Sequence, residues 1–261
     1  AACPPSSPVR RPPARTLFER KVFYIMNRTW NFAVRNGKEI LRDPISIIFS
    51  LLLPLFLLFL FQQFKIPNAA YLIENFTPGI VIFSFSFTTL FSATLIAGDR
   101  STSFLIRLGI SPMKPAEYIA GYTLSFRPLL LLQNLLLFAL ATLLGLPLRW
   151  HILWTVLASL VIAVLFLALG LWIGSFVSVK GASGAASIIV QLVCFTSGMY
   201  FPKELVGDWF SGLCDWLPFA ACLNILKGIL QADASLFSLR DFVVFGIYTL
   251  AILVAACVTF R

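Results

Sequence analysis

The uncharged stretch ISIIFSLLLPLFLLFLFQQF, residues 45–64, decides the class of this protein. An α-helix rises about 1.5 Å per residue, so about 20 apolar residues cross the hydrocarbon core of a bilayer. Asp43 and Pro44 precede the stretch, and they suit the N-cap and the first turn of a helix. Pro54 lies in the middle and is expected to bend the helix. The stretch is therefore predicted to span a membrane.

Five more uncharged runs are long enough to span, and they occupy residues 76–97, 128–148, 152–179, 181–202 and 242–260. Lys180 separates two of them, and Gly181 and Gly184 beside it favour a tight turn at the membrane surface over one very long helix. The whole chain is 59% hydrophobic and only 12% charged. Soluble domains carry about 25% charged residues, so the composition excludes a soluble globule. We predict an all-α membrane protein with six transmembrane helices.

Two segments precede the first span. Residues 1–25 are rich in Pro, Ser and Arg, and they are predicted to form a disordered basic tail, separate from a membrane domain over residues 26–261. Residues 28–42 have a helical period. We predict an amphipathic helix that lies in the membrane interface, with an ordinary solvated helix as the alternative. The apolar face comprises Trp30, Ala33, Val34, Gly37, Ile40 and Leu41, and Phe32 interrupts the polar face.

The positive charge has a one-sided distribution. The net charge is +9, and nine of the 20 Lys and Arg residues precede the first span. An excess of Lys and Arg marks the cytoplasmic side of a membrane protein. With six spans, this excess predicts that both termini lie in the cytoplasm of an integral membrane protein. No basic stripe with interleaved aromatic residues is present, so the charge indicates contact with membrane lipid and not with nucleic acid.

The segment GDRSTSFLIRLGISP, residues 98–112, connects the second and third spans on the predicted cytoplasmic side. Asp99 or Ser101 can cap a short helix that ends between Gly109 and Pro112. Such a helix would carry Phe104, Leu105 and Leu108 on one side. A solvated loop needs no apolar side, whereas a docked partner protein would use it.

Four features together are similar to one known family. They are the lead helix that ends in LRDP (41–44), the segment at 98–112, SGMYFPKEL (197–205), and WLPF (216–219) followed by LKG (226–228). From about residue 26 to its end, the chain resembles the type-2 permeases of ATP-binding cassette (ABC) exporters. The resemblance implies that the last two features form short outer helices, which partly re-enter the membrane before the last span. It also implies a bacterial-type plasma membrane.

The resemblance further implies the partners. The segment at 98–112 corresponds to the coupling helix, onto which a separate ABC ATPase docks. Six spans are half of the usual core, which implies a second permease chain in a homodimer or a heterodimer. The coupling residues carried over are Asp99, Arg100, Phe104, Leu105, Arg107, Leu108 and Pro112. This chain has no phosphate-binding G-x-x-x-x-G-K-[ST] loop, so we expect it to bind no cofactor, with ATP and Mg on the partner ATPase.

Polar residues inside the spans are candidates for a substrate path. They are Ser84, Thr88, Ser92, Arg127, Asn134 and Gln191. Each also has a structural explanation, because such groups often join helices and Arg can extend to the membrane surface. Gly170, Gly174 and Ser178 recur every four residues and predict close helix packing, within one subunit or between two.

Transport by alternating access, driven by the separate ATPase, is the predicted function. A passive channel or a stand-alone polytopic membrane protein is the alternative, although the spans offer no ring of charged residues for ion selectivity. A membrane-embedded lipid-modifying enzyme is less favoured than either of these alternatives. His151 is the single histidine, and no span contains paired carboxylates. The sequence therefore lacks the residues that general acid–base catalysis or a metal site would need.

Overall fold

A computed structural model describes residues 17–64, 67–102, 115–199, 207–233 and 238–259. These ranges are helical, with a short 3-10 turn at Ala69–Tyr71. The α-helices are α1 (Leu17–Ile40), α2 (Pro44–Gln63), α3 (Ile73–Ser101), α4 (Pro115–Leu143), α5 (His151–Phe176), α6 (Val179–Thr196), α7 (Asp208–Trp216), α8 (Pro218–Gln231) and α9 (Leu239–Thr259).

Six of these helices, α2 to α6 and α9, are long and apolar enough to cross a membrane. Each overlaps one of the predicted runs, so the prediction of six helices able to span a membrane is confirmed. The third span differs most, because α4 begins at Pro115 and not at Pro128. Glu117 and Arg127 had excluded this part from an uncharged run, yet both lie within the helix. Its end also comes early, at Leu143, and Gly145 follows in a left-handed conformation (φ 115°).

The first span begins as predicted. The Asp43 carboxylate accepts a hydrogen bond from the backbone N–H of Ser46 at 3.2 Å and a second from the Ser46 hydroxyl. Pro44 occupies the first turn, where its missing N–H would have no partner within the helix. This cap fixes the point at which the chain leaves α1 and enters the membrane.

Helix α1 begins at Leu17, inside the stretch predicted as a tail. The face that packs on the bundle coincides only partly with the predicted apolar face. Phe32, which interrupts the sequence pattern, is buried with Ala33, whereas Trp30 and Val34 are exposed. The difference arises because the helix packs mainly against α4, whose aromatic residues accommodate Phe32. A location in the membrane interface stays a prediction.

Helices α3 and α5 form the centre of the bundle. Both are mostly buried, whereas Ala256 is the one residue recorded as buried on α9. A Cβ atom at Gly170 would overlap the carbonyl oxygen of Thr89, and one at Gly174 would overlap that of Ala93. These two glycines therefore let α5 approach the backbone of α3. Of the two explanations for the small residues, packing within one subunit is the one observed for this pair.

The predicted tight turn between the fourth and fifth spans is present, slightly earlier than expected. Helix α5 ends at Phe176 and α6 begins at Val179, so Lys180 lies within the first turn of α6. Ser178 sets this position, since its hydroxyl accepts a hydrogen bond from the Gly181 N–H at 3.3 Å.

Helices α7 and α8 meet at a bend of 77° around Leu217. Helix α8 is largely buried and contacts α3, α5 and α9, whereas Trp209 and Trp216 of α7 are exposed. Cys214 and Cys222, both described in the structure, are not joined by a disulfide. Two short helices thus precede the last span. The SGMYFPKEL feature (197–205) lies largely outside the described residues, so an outer helix there, and partial re-entry into the membrane, stay predictions.

Candidate functional site

A buried carboxylate at the end of α3 joins three helices. Asp99 is only 2% exposed. It accepts a hydrogen bond from the Arg35 guanidinium of α1 at 3.0 Å and another from the Tyr122 hydroxyl of α4 at 2.6 Å. Arg35 therefore supplies a counter-charge to the Asp99 carboxylate, and Arg35 and Tyr122 each donate a hydrogen bond to one of its oxygens. A buried carboxylate requires such partners.

Arg35 lies at the edge of this cluster. Its side chain is 37% exposed and also forms an ion pair with Glu39, at 2.8 Å, one helical turn along α1. Burial lowers the pKa of Arg35, but the hydrogen bond and charge of Asp99, together with Glu39, raise it above its ordinary value. The guanidinium therefore remains charged and holds α1 against α3.

An aromatic wedge supports the same contact. The Phe32 ring packs edge-on against Tyr122, with 5.0 Å between ring centroids, and against Tyr118, at 5.7 Å. Edge-to-face pairs add to the energy of apolar burial. The Ser125 hydroxyl also donates to the carbonyl oxygen of Ala33 at 3.0 Å. Helix α1 is consequently attached to α4 by apolar and polar contacts on one face.

The next residue, Arg100, makes a separate attachment. Its guanidinium donates to the carbonyl oxygens of Ser175 and Val177, the second at 2.8 Å. These carbonyls lie at the end of α5 and in the turn before α6, where helix geometry leaves acceptors without partners. Two consecutive residues of α3 therefore contact α1 and α4 on one side and the α5–α6 turn on the other.

The predicted coupling residues are only partly within the described chain. Asp99 and Arg100 lie in α3, which continues through Ser101, so in the structure Asp99 bonds neighbouring helices and does not begin a new one. The remaining predicted coupling residues, Phe104, Leu105, Arg107, Leu108 and Pro112, lie outside the described residues. Their role in coupling stays a prediction.

Sequence reasoning missed Arg35 and Tyr122 as partners of Asp99. They are 64 and 23 residues away, and no spacing rule connects them. One signal was available: an acidic residue in the last turn of a helix faces the negative end of the helix dipole. Such a residue needs a cation from elsewhere, and the lead helix is rich in them.

Four of the six candidate path residues lie inside the bundle. Ser84, Thr88, Ser92 and Asn134 are at most 1% exposed. Ser84 and Ser92 donate to carbonyl oxygens of their own helix, and Asn134 accepts from Ser159 of α5 at 3.0 Å. The other two, Arg127 and Gln191, are exposed on different helices. No one surface of the described chain thus carries all six, and substrate contact stays a prediction.

The outward face of α6 carries a strip of small and polar residues beside exposed apolar ones. Gln191 is exposed, and Ser187 and Ser183 continue the same face at four-residue spacing. The hydroxyls of both serines donate to carbonyl oxygens of α6 itself. Small and polar residues of this kind are typical of contacts between membrane helices.

A cavity of about 270 Å³, which the sequence did not predict, is lined in part by Gly98, the residue before Asp99. It lies where α1, α2, α3 and α4 converge. Glu39 and Asp43 contribute carboxylates to its wall, and Thr94 and Gly98 of α3 form another part. Among the described residues, no group of three His, Cys, Asp or Glu side chains could hold a metal ion.

Comparison with known proteins agrees with this architecture. The family model of the ABC-2 type transporter matches residues 23–230, which is most of the chain. A Bacillus subtilis (strain 168) protein named "Putative transport permease YvfS" is 21% identical over 203 residues, covering 74% of this chain and 81% of that protein. The family is one of transport permeases and not of enzymes. The chain is therefore an integral membrane protein that belongs to the ABC-2 type transporter family.

Proposed function

We propose that this chain is the membrane subunit of an ABC exporter, in which a separate ATPase subunit drives alternating access. ATP and Mg bind to the ATPase, and this chain binds no cofactor of its own. The exporter resides in a bacterial-type plasma membrane with both termini of this chain in the cytoplasm, consistent with the excess of Lys and Arg before α2.

The attachment of Asp99 and Arg100 is the observation that carries the proposal. A transport cycle needs a device through which a docked partner can reposition several spans together. The segment after Thr102 leaves directly from the turn of α3 that bonds α1, α4 and the α5–α6 turn. A force applied to that segment would therefore reach these helices through short polar contacts.

A second copy of the chain, or a related permease chain, completes the transporter. The outward face of α6 supports this, since an exposed carboxamide at Gln191 is unfavourable toward hydrocarbon. Two α6 helices facing each other would place Gln191 from each chain at the junction. Substrate then passes between the chains, with different affinity in the two access states, as net pumping requires.

Co-purification tests the proposal. The tagged chain is solubilised from its native membrane, and the proteins recovered with it are identified by mass spectrometry. We expect an ABC ATPase with the unaltered chain and none with Leu108→Asp, because the charge would disrupt the apolar side of the predicted coupling helix.

Leu148→Asp is the matched control, since Leu148 is 86% exposed at the opposite end of the bundle. This variant should retain the ATPase. Equal recovery of the ATPase with Leu108→Asp and with the unaltered chain would show that the 98–112 segment does not dock the ATPase. Recovery of the unaltered chain alone, in every detergent tried, would argue for a channel or a stand-alone membrane protein.

A further inference from the structure

Arg127 is a cation on a membrane-spanning helix, and the described residues give it no counter-charge. It is exposed on α4, and among the residues that the structure describes it forms no ion pair and no hydrogen bond. Charged side chains in spanning segments are rare and are usually paired. Arg35 is paired with Asp99 in this way, whereas Arg127 has no such partner among the described residues. Its partner must therefore come from outside the described chain.

The depth of Arg127 follows from the contacts of α4. Gln133 donates to the carbonyl oxygen of Ser50 at 3.0 Å, which sets α4 level with α2 at that point. Arg127 and Pro44 each lie six residues earlier on their helices, about 9 Å toward the same side. Arg127 is therefore level with the first residue of the first span. A flexible Arg side chain at this depth reaches the layer of lipid phosphates.

A groove of about 540 Å³ surrounds the guanidinium. Its walls come from α1, α4, α5 and α9. Most of the lining is apolar, including Leu124, Val164 and Leu253, and none of the described residues that line it is acidic. Thr29 of α1 also lines the groove, and its hydroxyl is a second potential donor. The groove thus combines a cationic donor with an apolar wall.

We propose that this groove binds an anionic phospholipid of the leaflet on the α1 side. The lipid phosphate accepts hydrogen bonds from Arg127 and from Thr29, and an acyl chain lies along the apolar wall toward Val164. Arginine suits this role because its planar guanidinium presents two parallel donors to a phosphate. A net negative headgroup is preferred over a zwitterionic one, since no acidic side chain in the groove offsets the arginine.

This site is separate from the proposed transport cycle. The groove lies between α1, α4, α5 and α9, whereas the outward face of α6 and the end of α3 carry the transport argument. The lipid proposal therefore holds or fails independently of ATPase docking. It requires only that the chain is inserted in a membrane, which its family and its helices establish.

Native mass spectrometry tests the proposal on the full chain released from nanodiscs of equimolar phosphatidylglycerol and phosphatidylcholine. We expect the unaltered chain to retain phosphatidylglycerol preferentially. Arg127→Gln should lower this preference about five-fold, the effect of one basic residue near an anionic surface, and Arg127→Lys should lower it less. Arg149→Gln is the matched control, because Arg149 is exposed beyond the other end of α4.

A second variant tests the groove without changing its charge. Ala120 is exposed and lines the groove, so Ala120→Phe fills it while Arg127 remains. This variant should also retain less phosphatidylglycerol. The proposal is overturned if Arg127→Gln and Ala120→Phe both retain as much phosphatidylglycerol as Arg149→Gln. It is also overturned if Arg127→Gln changes the oligomeric state and leaves lipid retention unchanged, since a second chain would then occupy the groove.

Discussion

The unequal exposure of Arg35 and Asp99 predicts unequal costs for removing them. The Asp99 side chain is 1% exposed and that of Arg35 is 37% exposed. Arg35→Met leaves a buried carboxylate with Tyr122 as its remaining donor, and breaking a buried pair in this way costs about 3–5 kcal/mol. Asp99→Asn leaves Arg35 in contact with solvent and Glu39, so the expected loss is about 1–2 kcal/mol.

The free energy of unfolding can be measured by titrating SDS into dodecylmaltoside micelles and following helicity by circular dichroism. Hydrogen exchange of the α1 amides in the same samples reports whether α1 separates first. We expect Arg35→Met to be the less stable variant. Adding Asp99→Asn to Arg35→Met should restore part of the stability, because the double variant buries no unpaired charge.

Lys38→Met is the matched control on the same helix, since Lys38 is exposed, and it should change stability by less than about 0.5 kcal/mol. The reasoning is refuted if Asp99→Asn costs as much as Arg35→Met, or if the double variant is less stable than Arg35→Met alone.

Two further predictions concern the helix contacts. Gly170→Val should lower the free energy of unfolding in the same titration by about 1–3 kcal/mol, because the added side chain meets the α3 backbone; Gly184→Val, with open space around it, should cost clearly less, and equal losses would contradict this packing. Benzoylphenylalanine at position 187, on the outward face of α6, should photo-cross-link two permease chains in the membrane, whereas the same amino acid at exposed Ile247 of α9 should not. Cross-linking from position 247 alone would place the second chain elsewhere.

The number of spans could be predicted because hydrophobic length is a property of each segment alone. Residues 45–64 need no neighbour to be identified as a span. The same criterion misplaced the start of α4, since it excludes any charged residue, and Arg127 is tolerated where the side chain can reach a polar layer. The α5–α6 turn was displaced for a related reason: the capping hydroxyl of Ser178, and not the nearby lysine, sets where α6 begins.

The site was less predictable, because its geometry depends on distant pairs. Asp99 was identified from its place in the loop pattern, yet its partners come from α1 and α4. The sequence pattern treated Phe32 as an interruption, although it packs between Tyr118 and Tyr122. In both cases, a contact with another helix explains a residue that disturbs the local sequence pattern. A local period in the sequence cannot reveal such a contact.

The order of synthesis gives the Asp99 contact a consequence for membrane insertion. Arg35 precedes α3 in the chain, so a cation is already available when Asp99 emerges from the ribosome, whereas Tyr122 follows 23 residues later. An acidic residue that entered the bilayer alone would be costly. The nascent chain therefore carries the counter-charge ahead of the acid, and α1 can shield the end of α3 before the rest of the bundle has been made.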